Sequence, residues 1–407
     1  MPLNSVIAAL SAGNTVVLKP SEHAPACAAL LGELLPRYVD PAGVRLVQGG
    51  VAETTALLAQ RFDSIMYTGS PAVGKVVMAA AAKHLTPVLL ELGGKNPVIV
   101  DATASLAAAA QAIVRARCTN AGQICIAAEY VLVEASVEEA LVRELKAAVT
   151  RLFGEQPKAS ASFGRIVNRA HWARIDKLVK GAGGAVVAGG ESDESQLYIA
   201  PTIIRGAAGD APISCEEVFG PVLCVRPVKD LGEAIAVVNA GEKPLACYLF
   251  SHSAAAQARV LAETSAGGMV INDTLNHLVI PELPFGGVGN SGMGAYHGKS
   301  GFDAFTHRKA VLHTGRLNVT PLFTDPPFHE RQAATLRLIM ALTPYRLLPV
   351  GVKDALIIGL SAAVVALAGR VAGKARRHSL HRQEFVSGER IDRCSGLSGI
   401  RRSGGDG

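Results

Sequence analysis

The feature that most narrows the fold is an alternation in the first hundred residues, where each short β-rich run is followed by a stretch with helical periodicity. "NTVVLKP" reads as a strand ended by Pro20, and "SEHAPACAALLGELL" as a helix capped by Ser21. "VRLVQG" and "ETTALLAQRF" give the next strand and helix, and "SIMYTG" the strand after them. The helix "PAVGKVVMAAAAKHL" begins at Pro71, where a missing N–H costs nothing. "PVLLEL" and "PVIVD" extend the series. Parallel neighbours need a crossover between them, and a helix is the usual one, so this spacing predicts an α/β fold with a mostly parallel, doubly wound sheet.

A second unit begins after residue 104. "SLAAAAQAIVRARCTNAGQICIA" predicts a helix that breaks at Asn120-Ala121-Gly122, and "VEEALVRELKAAVTRLF" an amphipathic helix. Strands are predicted at "YVLVE", "GAVVAGG", "VLCVRPV" and "GMVIND". Beyond about residue 320 the character changes. "TDPPFHERQAATLRLIMAL" reads as a linker and a short amphipathic helix. "ALIIGLSAAVVALAG" follows without a charge, and its fifteen residues would cover roughly 22 Å of a ~30 Å hydrocarbon core. Adding "LLPVGV" lengthens the segment at the cost of Lys353 and Asp354.

The net charge of +6 invites a nucleic-acid partner, but its distribution excludes one for the body. Arg370 to Gly407 carry nine Arg or Lys against four acidic residues, so the basicity belongs to a polar tail. Seven cysteines, an odd number at irregular spacing and without CxxC, read as reduced thiols of an intracellular, cytosol-facing protein.

Three short stretches carry chemistry, each with a plain alternative. In "CTNAGQICIA", Cys118 sits inside the helical pattern and reads as packing. Cys125 follows the break and is either core or an outward-turned nucleophile. No Cys or His cluster with ligand spacing lies nearby, so no metal is assigned. Glu91, at the end of "PVLLEL", is either a solvated strand-end carboxylate or a general base in a cleft. "YTGSPAVGK" starts a helix between Gly69 and Gly74. Its free N–H groups suit a phosphate, though it matches neither dinucleotide nor Walker spacing.

In order along the chain, "VVLKPSE", "YTGSPAVGK", "LELGGKNP", "NAGQICIA", "EEVFGPV" and "PFGGVGNSGMGAYHGKSGFDAFTHRKAV" resemble the motifs of the aldehyde dehydrogenase superfamily. "GMGAYHGKSGFDAFTHRK" and "AAAKHLTPVLLELGGK" resemble its class 3 branch, which includes the fatty aldehyde dehydrogenases. The similarity runs from about residue 2 to about 315. It implies an incomplete Rossmann-type cofactor domain, an α/β catalytic domain and a C-terminal hydrophobic segment. The implied activity is NAD-dependent oxidation of an aldehyde, with NADP also admitted.

Carried over residue by residue, Cys125 matches the nucleophile and Glu91 the base that activates water. Lys19 and Glu22 match positions that hold the adenosine ribose, where a glutamate favours NAD. Gly69, Ser70 and Gly74 match the turn near the pyrophosphate, and Leu92 and Gly93 belong to the same cofactor set. Glu217 and Phe219 match the nicotinamide-ribose contact and the apolar wall beside it. His277 and His297 are left as structural or pocket residues.

The resemblance divides the chain into a partial NAD-binding domain (1–93), a catalytic domain (94–280) and an active-site and oligomerisation segment (281–325). A linker with an amphipathic helix (326–345), a membrane anchor (346–372) and a basic disordered tail (373–407) follow. It also implies a homodimer, membrane association through the C-terminus, and an endoplasmic reticulum or other organelle surface. The family carries about 120 residues ahead of the position of Met1, including an asparagine that donates to the oxyanion, a donor worth about two to three orders of magnitude in rate. Weak turnover is therefore expected of residues 1–407 alone, and the alternative function is binding or structural.

Overall fold

The predicted alternation is present, but its strands divide among separate sheets. The computed structural model describes residues 2–313, 325–327 and 329–342. A compact unit runs from Met1 to Lys309. It opens with helix α1 (Pro2–Ser11), strand β1 (Val16–Leu18), helix α2 (Pro25–Tyr38) and strand β2 (Val44–Leu46). β1 and β2 pair in parallel over a small core of Val6, Leu18 and Val44. Helix α3 (Val51–Leu58), strand β3 (Ile65–Thr68), helix α4 (Pro71–Ala82) and strand β4 (Val88–Glu91) follow. β3 and β4 form a second parallel pair, with Val77 of α4 packed on Leu90 and Leu92.

The chain then crosses into the main sheet within five residues, Leu92 to Asn96. Strand β5 (Pro97–Val100), helix α5 (Leu106–Cys118), strand β6 (Tyr130–Glu134), and helices α6 (Glu138–Phe153) and α7 (Arg169–Lys180) come first. Strand β7 (Ala185–Ala188), the hairpin of β8 (Ser192–Asp193) and β9 (Tyr198–Ile199), strand β10 (Thr202–Arg205) and helix α8 (Pro212–Cys215) come next. Strand β11 (Val222–Val228), helix α9 (Leu231–Ala240), strand β12 (Ala246–Phe250), helix α10 (Ala254–Glu263) and strand β13 (Gly268–Ile271) complete the sheet. Its order is β13-β12-β5-β6-β11-β10-β7, parallel throughout except at the β10–β7 edge.

Period-two alternation explains why this sheet is buried on both faces. Val98, Val100, Val131, Val133, Tyr248 and Phe250 point into the core that also holds Ile113, Leu141 and Leu145 of α5 and α6. Ile99, Leu132 and Leu249 point the other way, onto Ala234 and Val238 of α9 and Val260 of α10. Helices on both sides leave the parallel strands apolar throughout.

The next strand returns to the sheet of β3 and β4, and the helix after it packs on α1. Strand β14 (Gly292–Met293) pairs antiparallel with β4, setting Gly292 opposite Glu91, and helix α11 (Gly298–Ala304) packs beside α1. A second unit runs from Ala310 to Gly407, where helix α12 (Glu330–Leu342) is described.

Two expectations need correction, and two strands of the main sheet go beyond the sequence reading. The strands of the first hundred residues do not build one doubly wound sheet; they supply three, because β5 joins strands from residues 130–271. Ser21 does not cap α2. Its hydroxyl accepts from the N–H of His23 at 3.2 Å, and α2 starts at Pro25 without a side-chain cap. β10 and β12 were not predicted, although "ACYLF" between Pro244 and Ser251 is a five-residue apolar run of buried-strand type. The hydrophobic segment at 346–372 lies outside the described residues. Among the described residues no helix is long and apolar enough to cross a membrane.

Candidate active site

The site lies where the sheet of β3, β4 and β14 meets the seven-stranded sheet, and local backbone geometry explains why. α5 ends at Cys118, and the next four residues form a tight turn in which Asn120, Ala121 and Gly122 all have positive φ (52°, 51° and 77°). That conformation breaks the helix as predicted and throws residues 123–129 across the entrance of β6. A Cβ built on Gly122 would fall inside the Gly220 carbonyl, so the turn packs directly on the loop before β11. Gly122→Ala should therefore cost about 2 kcal/mol or more, read as a lower thermal midpoint, because it adds a clash to a left-handed backbone.

Two carboxyls converge on Cys125. The thiol is half-buried and packs against the main core. Burial first, and then the charges of Glu91 and Glu217, push its pKa up to about 12. The N–H groups of Cys125 and Ile126 act in the opposite direction and favour the thiolate. Glu91 is 3% exposed at the end of β4, flanked in register by Thr68 and Gly292. Burial pushes its pKa up to about 8, partly offset by the N–H of Gly287. Its Oε1 has no hydrogen-bond partner among the described residues, so the carboxyl keeps a free acceptor. Glu217 is likewise pushed up to about 8 by burial and by the charge of Glu129. It lies over Gly93, where a Cβ would enter its carboxyl group.

The other expected residues form a second group. Lys19 pairs with Glu22 at 3.1 Å beyond β1, and the backbone N–H of Glu22, then Lys19, holds that carboxyl below the usual range. Ser70 caps α4 by accepting from the N–H of Val73 at 3.4 Å. The phenol of Tyr67 covers Gly69 and meets the N–H of Ser70. Gly74 and Leu92 are packing partners, since a Cβ on Gly74 would collide with the Leu92 side chain. Phe219 is half-buried with φ of 50° in the loop that carries Glu217. Cys118 is 5% exposed and packs in the core. His277 and His297 are buried and stack against Phe285, with ring centroids 5.7 and 5.4 Å away. Burial pushes the His277 pKa down to about 4, so its imidazole is neutral.

The motif reading passes over the charged network that ties these loops together. Arg117, 2% exposed, donates to Glu129 (2.6 Å), the Ala128 carbonyl (2.8 Å) and the Gly122 carbonyl (2.6 Å). Glu129 also meets Lys95 at 3.2 Å and accepts from the N–H of Val218 at 2.9 Å. Lys95 donates to the carbonyls of Ile213 and Glu216, each at 2.9 Å, and Arg174 to those of Glu217 (3.1 Å) and Val218 (2.6 Å). One buried ion-pair cluster thus holds both the Cys125 turn and the Glu217 loop. Arg117 did carry a signal, being a charged residue on the Ile113–Val114–Cys118 face of an apolar helix.

The chain is similar to known proteins over most of its length. Residues 1–311 match the model of the aldehyde dehydrogenase family. The chain is 48% identical over 318 residues to the rat "Aldehyde dehydrogenase, dimeric NADP-preferring", covering 78% of this chain and 70% of that one. It is 47% identical over 351 residues to "Aldehyde dehydrogenase family 3 member H1" of Arabidopsis thaliana, covering 84% and 70%. Against the rat "Aldehyde dehydrogenase family 3 member A2" the identity is 48% over 315 residues, covering 77% and 65%, so this relative's length is matched only in part. Among solved structures, the substrate-bound Staphylococcus aureus AldH superposes with a TM-score of 0.79 at 41% identity, covering 83% of this chain and 74% of that one. The Mycobacterium tuberculosis aldehyde dehydrogenase complexed with NAD+ gives 0.72 at 31%, covering 78% and 67%. A family match over residues 1–311, identities of 47–48% to curated relatives and a shared α/β framework lead to one conclusion: the chain belongs to the aldehyde dehydrogenases.

Proposed function

We propose that the chain oxidises aldehydes to carboxylic acids with NAD+ or NADP+, using Cys125 as nucleophile and Glu91 as general base. The observation that carries this reading is the convergence of Glu91 and Glu217 on the half-buried Cys125 thiol, each with its pKa pushed up to about 8. A carboxyl tuned there can give and take a proton near neutral pH. Proton uptake neutralises the carboxyl that accepts it, so one of the charges that oppose the thiolate is removed as the thiolate forms.

The steps follow from that pairing. Glu91 takes the Cys125 proton, and the thiolate adds to the carbonyl carbon, moving the C=O π electrons onto oxygen. Bound NAD(P)+ would supply the hydride acceptor that leaves the adduct as a thioester. Glu91 releases the Cys125 proton to solvent and then takes one from water, whose oxygen attacks the thioester carbon. The C–S bond breaks, the acid departs, and Cys125 regains its proton. Two accessible steps replace one difficult one.

The residues present fit a dinucleotide. Gly69 and Gly93 lie where a Cβ would meet the Tyr67 phenol and the Glu217 carboxyl, so neither position can carry a side chain of its own. Lys19 and Glu22 would hold the adenosine ribose, with Glu22 favouring free hydroxyls and hence NAD. Gly69 and Ser70, at the N-terminus of the twelve-residue α4, would take the pyrophosphate, and Glu217 the nicotinamide ribose beside Phe219.

The class 3 motifs support medium- and long-chain aldehydes as substrates, a homodimer, and membrane association through 346–372 from the cytosolic side. Initial rates on a series of straight-chain aldehydes test the first of these, with kcat/KM expected to rise with chain length; a flat or falling series would remove it. The alternative is a binding or structural role, and a thiol probe separates the two. A working site labels Cys125 selectively and responds to NAD, whereas a binding module shows neither.

Glu91 also gives a pH profile. Hydrolysis of the thioester needs the carboxylate, so kcat should rise with pH through about 8 and then level, and Glu91→Gln should abolish that limb. Stability runs the other way. A carboxyl with a raised folded-state pKa binds more protons folded than unfolded, so its contribution is present below the ordinary carboxylate value and is lost as pH rises towards about 8. Thermal melts of parent and Glu91→Gln across that window should diverge, with the variant less sensitive to pH.

A further inference from the structure

The backbone around Cys125 is held from both sides by two buried residues, one near the end of the "LELGGKNP" stretch and one outside every motif. Asn96 is fully buried at the start of β5. Its Nδ2 donates to the Cys125 carbonyl at 2.9 Å and to the Ala127 carbonyl at 3.0 Å, while its Oδ1 accepts from the N–H of Ala246 at 2.8 Å. All of its amide's hydrogen-bonding functions are used, and they join the cysteine turn to the starts of β5 and β12. Tyr248, also fully buried, donates from Oη to the Ile126 carbonyl at 2.6 Å. The N–H of Leu275 in turn donates to that phenol, so the oxygen is fixed as both acceptor and donor.

These contacts matter because a peptide group is rigid. The Cys125 carbonyl and the Ile126 N–H belong to one plane, so fixing the first aims the second. That N–H and the N–H of Cys125 itself both face the sulfur. The next plane, from Ile126 to Ala127, is fixed by Tyr248 at its carbonyl and by the bond from the Ala127 N–H to the Ile124 carbonyl at 2.9 Å. Donation to a peptide carbonyl also polarises the N–H of the same peptide, which strengthens its bond to an anion.

We infer that Asn96 and Tyr248 are positioning residues: they lock the Cys125–Ile126–Ala127 peptides so that the Ile126 N–H stabilises the Cys125 thiolate and the charge that develops as it reacts. The inference rests on the assignment of Cys125 as nucleophile. Neither side chain touches the reacting atoms; each acts through the backbone it holds.

The rate of Cys125 alkylation by iodoacetamide tests this, followed on the tryptic peptide that carries Cys125 because Cys27 and Cys215 are exposed and also react. The full chain is compared with Asn96→Ala and Tyr248→Phe at one alkaline pH, with thermal midpoints measured alongside. Losing the aimed donor should lower the thiolate population and slow alkylation by about tenfold in Asn96→Ala, and by less in Tyr248→Phe. A purely structural role gives the opposite sign, since a loosened loop exposes the thiol and speeds the reaction. Alkylation at the parent rate or faster in both variants overturns the inference. If Asn96→Ala does not fold, Tyr248→Phe, which removes one hydroxyl, decides alone. The assignment beneath it fails differently: a Cys125→Ala chain that still oxidises aldehyde removes the nucleophile and leaves the alkylation result intact.

Discussion

A Cys125→Ala chain is expected to fold like the parent and to lose aldehyde-dependent NAD(P)H formation by about four orders of magnitude or more, because it lacks the thiol proposed to form the covalent adduct. The thiol is half-buried, and the loop around it is held by Asn96, Arg117 and Tyr248 through backbone groups and not through the sulfur. Exchanging it for a methyl group removes little packing, so the thermal midpoint should hardly move. Cys118→Ala supplies the contrast. That residue is in the core, and its loss should cost stability but leave the rate per folded molecule unchanged. Where turnover of the parent is too slow to follow, hydrolysis of an activated ester reports on the same thiol without a hydride step. Retention of parental activity by Cys125→Ala in both assays would exclude this cysteine as the nucleophile.

The second large effect falls on stability. Arg117→Met should lower the unfolding free energy by about 3 kcal/mol or more, because it leaves Glu129 buried with one cationic partner in place of two. Burial opposes the charge of Glu129, but Arg117 and Lys95 outweigh it and hold its pKa below the usual carboxylate range. The stabilisation is therefore present above that range and fades as pH falls through the lowered value, so the penalty of Arg117→Met should shrink in acid. The variant also frees the Gly122 carbonyl, and the Glu217 loop is tied to the same network through Val218. Activity should fall together with stability. A companion variant, Arg117→Met with Glu129→Leu, removes the orphaned charge and should recover much of the midpoint, though not the activity. A midpoint unchanged in Arg117→Met would mean that the pair contributes nothing net.

Much of this was legible in the chain itself. The alternation of β-rich and helical runs predicts β1 to β6 and α2 to α6 because hydrophobic periodicity and turn chemistry are local properties. The break at Asn120-Ala121-Gly122 is real for the same reason: left-handed backbone tends to end a helix, and a glycine advertises it. Ser21 misled, because capping competes with turn formation and the turn to His23 won. Cys125 and Glu91 stood out through the company of six ordered motifs, not through their own surroundings.

What the sequence by itself determined is the class of the segments from β1 to β6, and it supplied the residues proposed for the chemistry. Tertiary structure alone decided how the strands divide among sheets, and that division makes the five residues between β4 and β5 the crossing from one sheet to the other. It also decided which polar residues serve the site. Asn96 reaches the Ala246 N–H across 150 residues of chain, Tyr248 reaches Ile126 across 122, and Glu129 reaches Val218 across 89. A hydrogen bond between residues so distant leaves no periodicity and no spacing in the sequence. Its partners are chosen by burial, which obliges every enclosed polar group to find whatever donor or acceptor the fold has brought alongside.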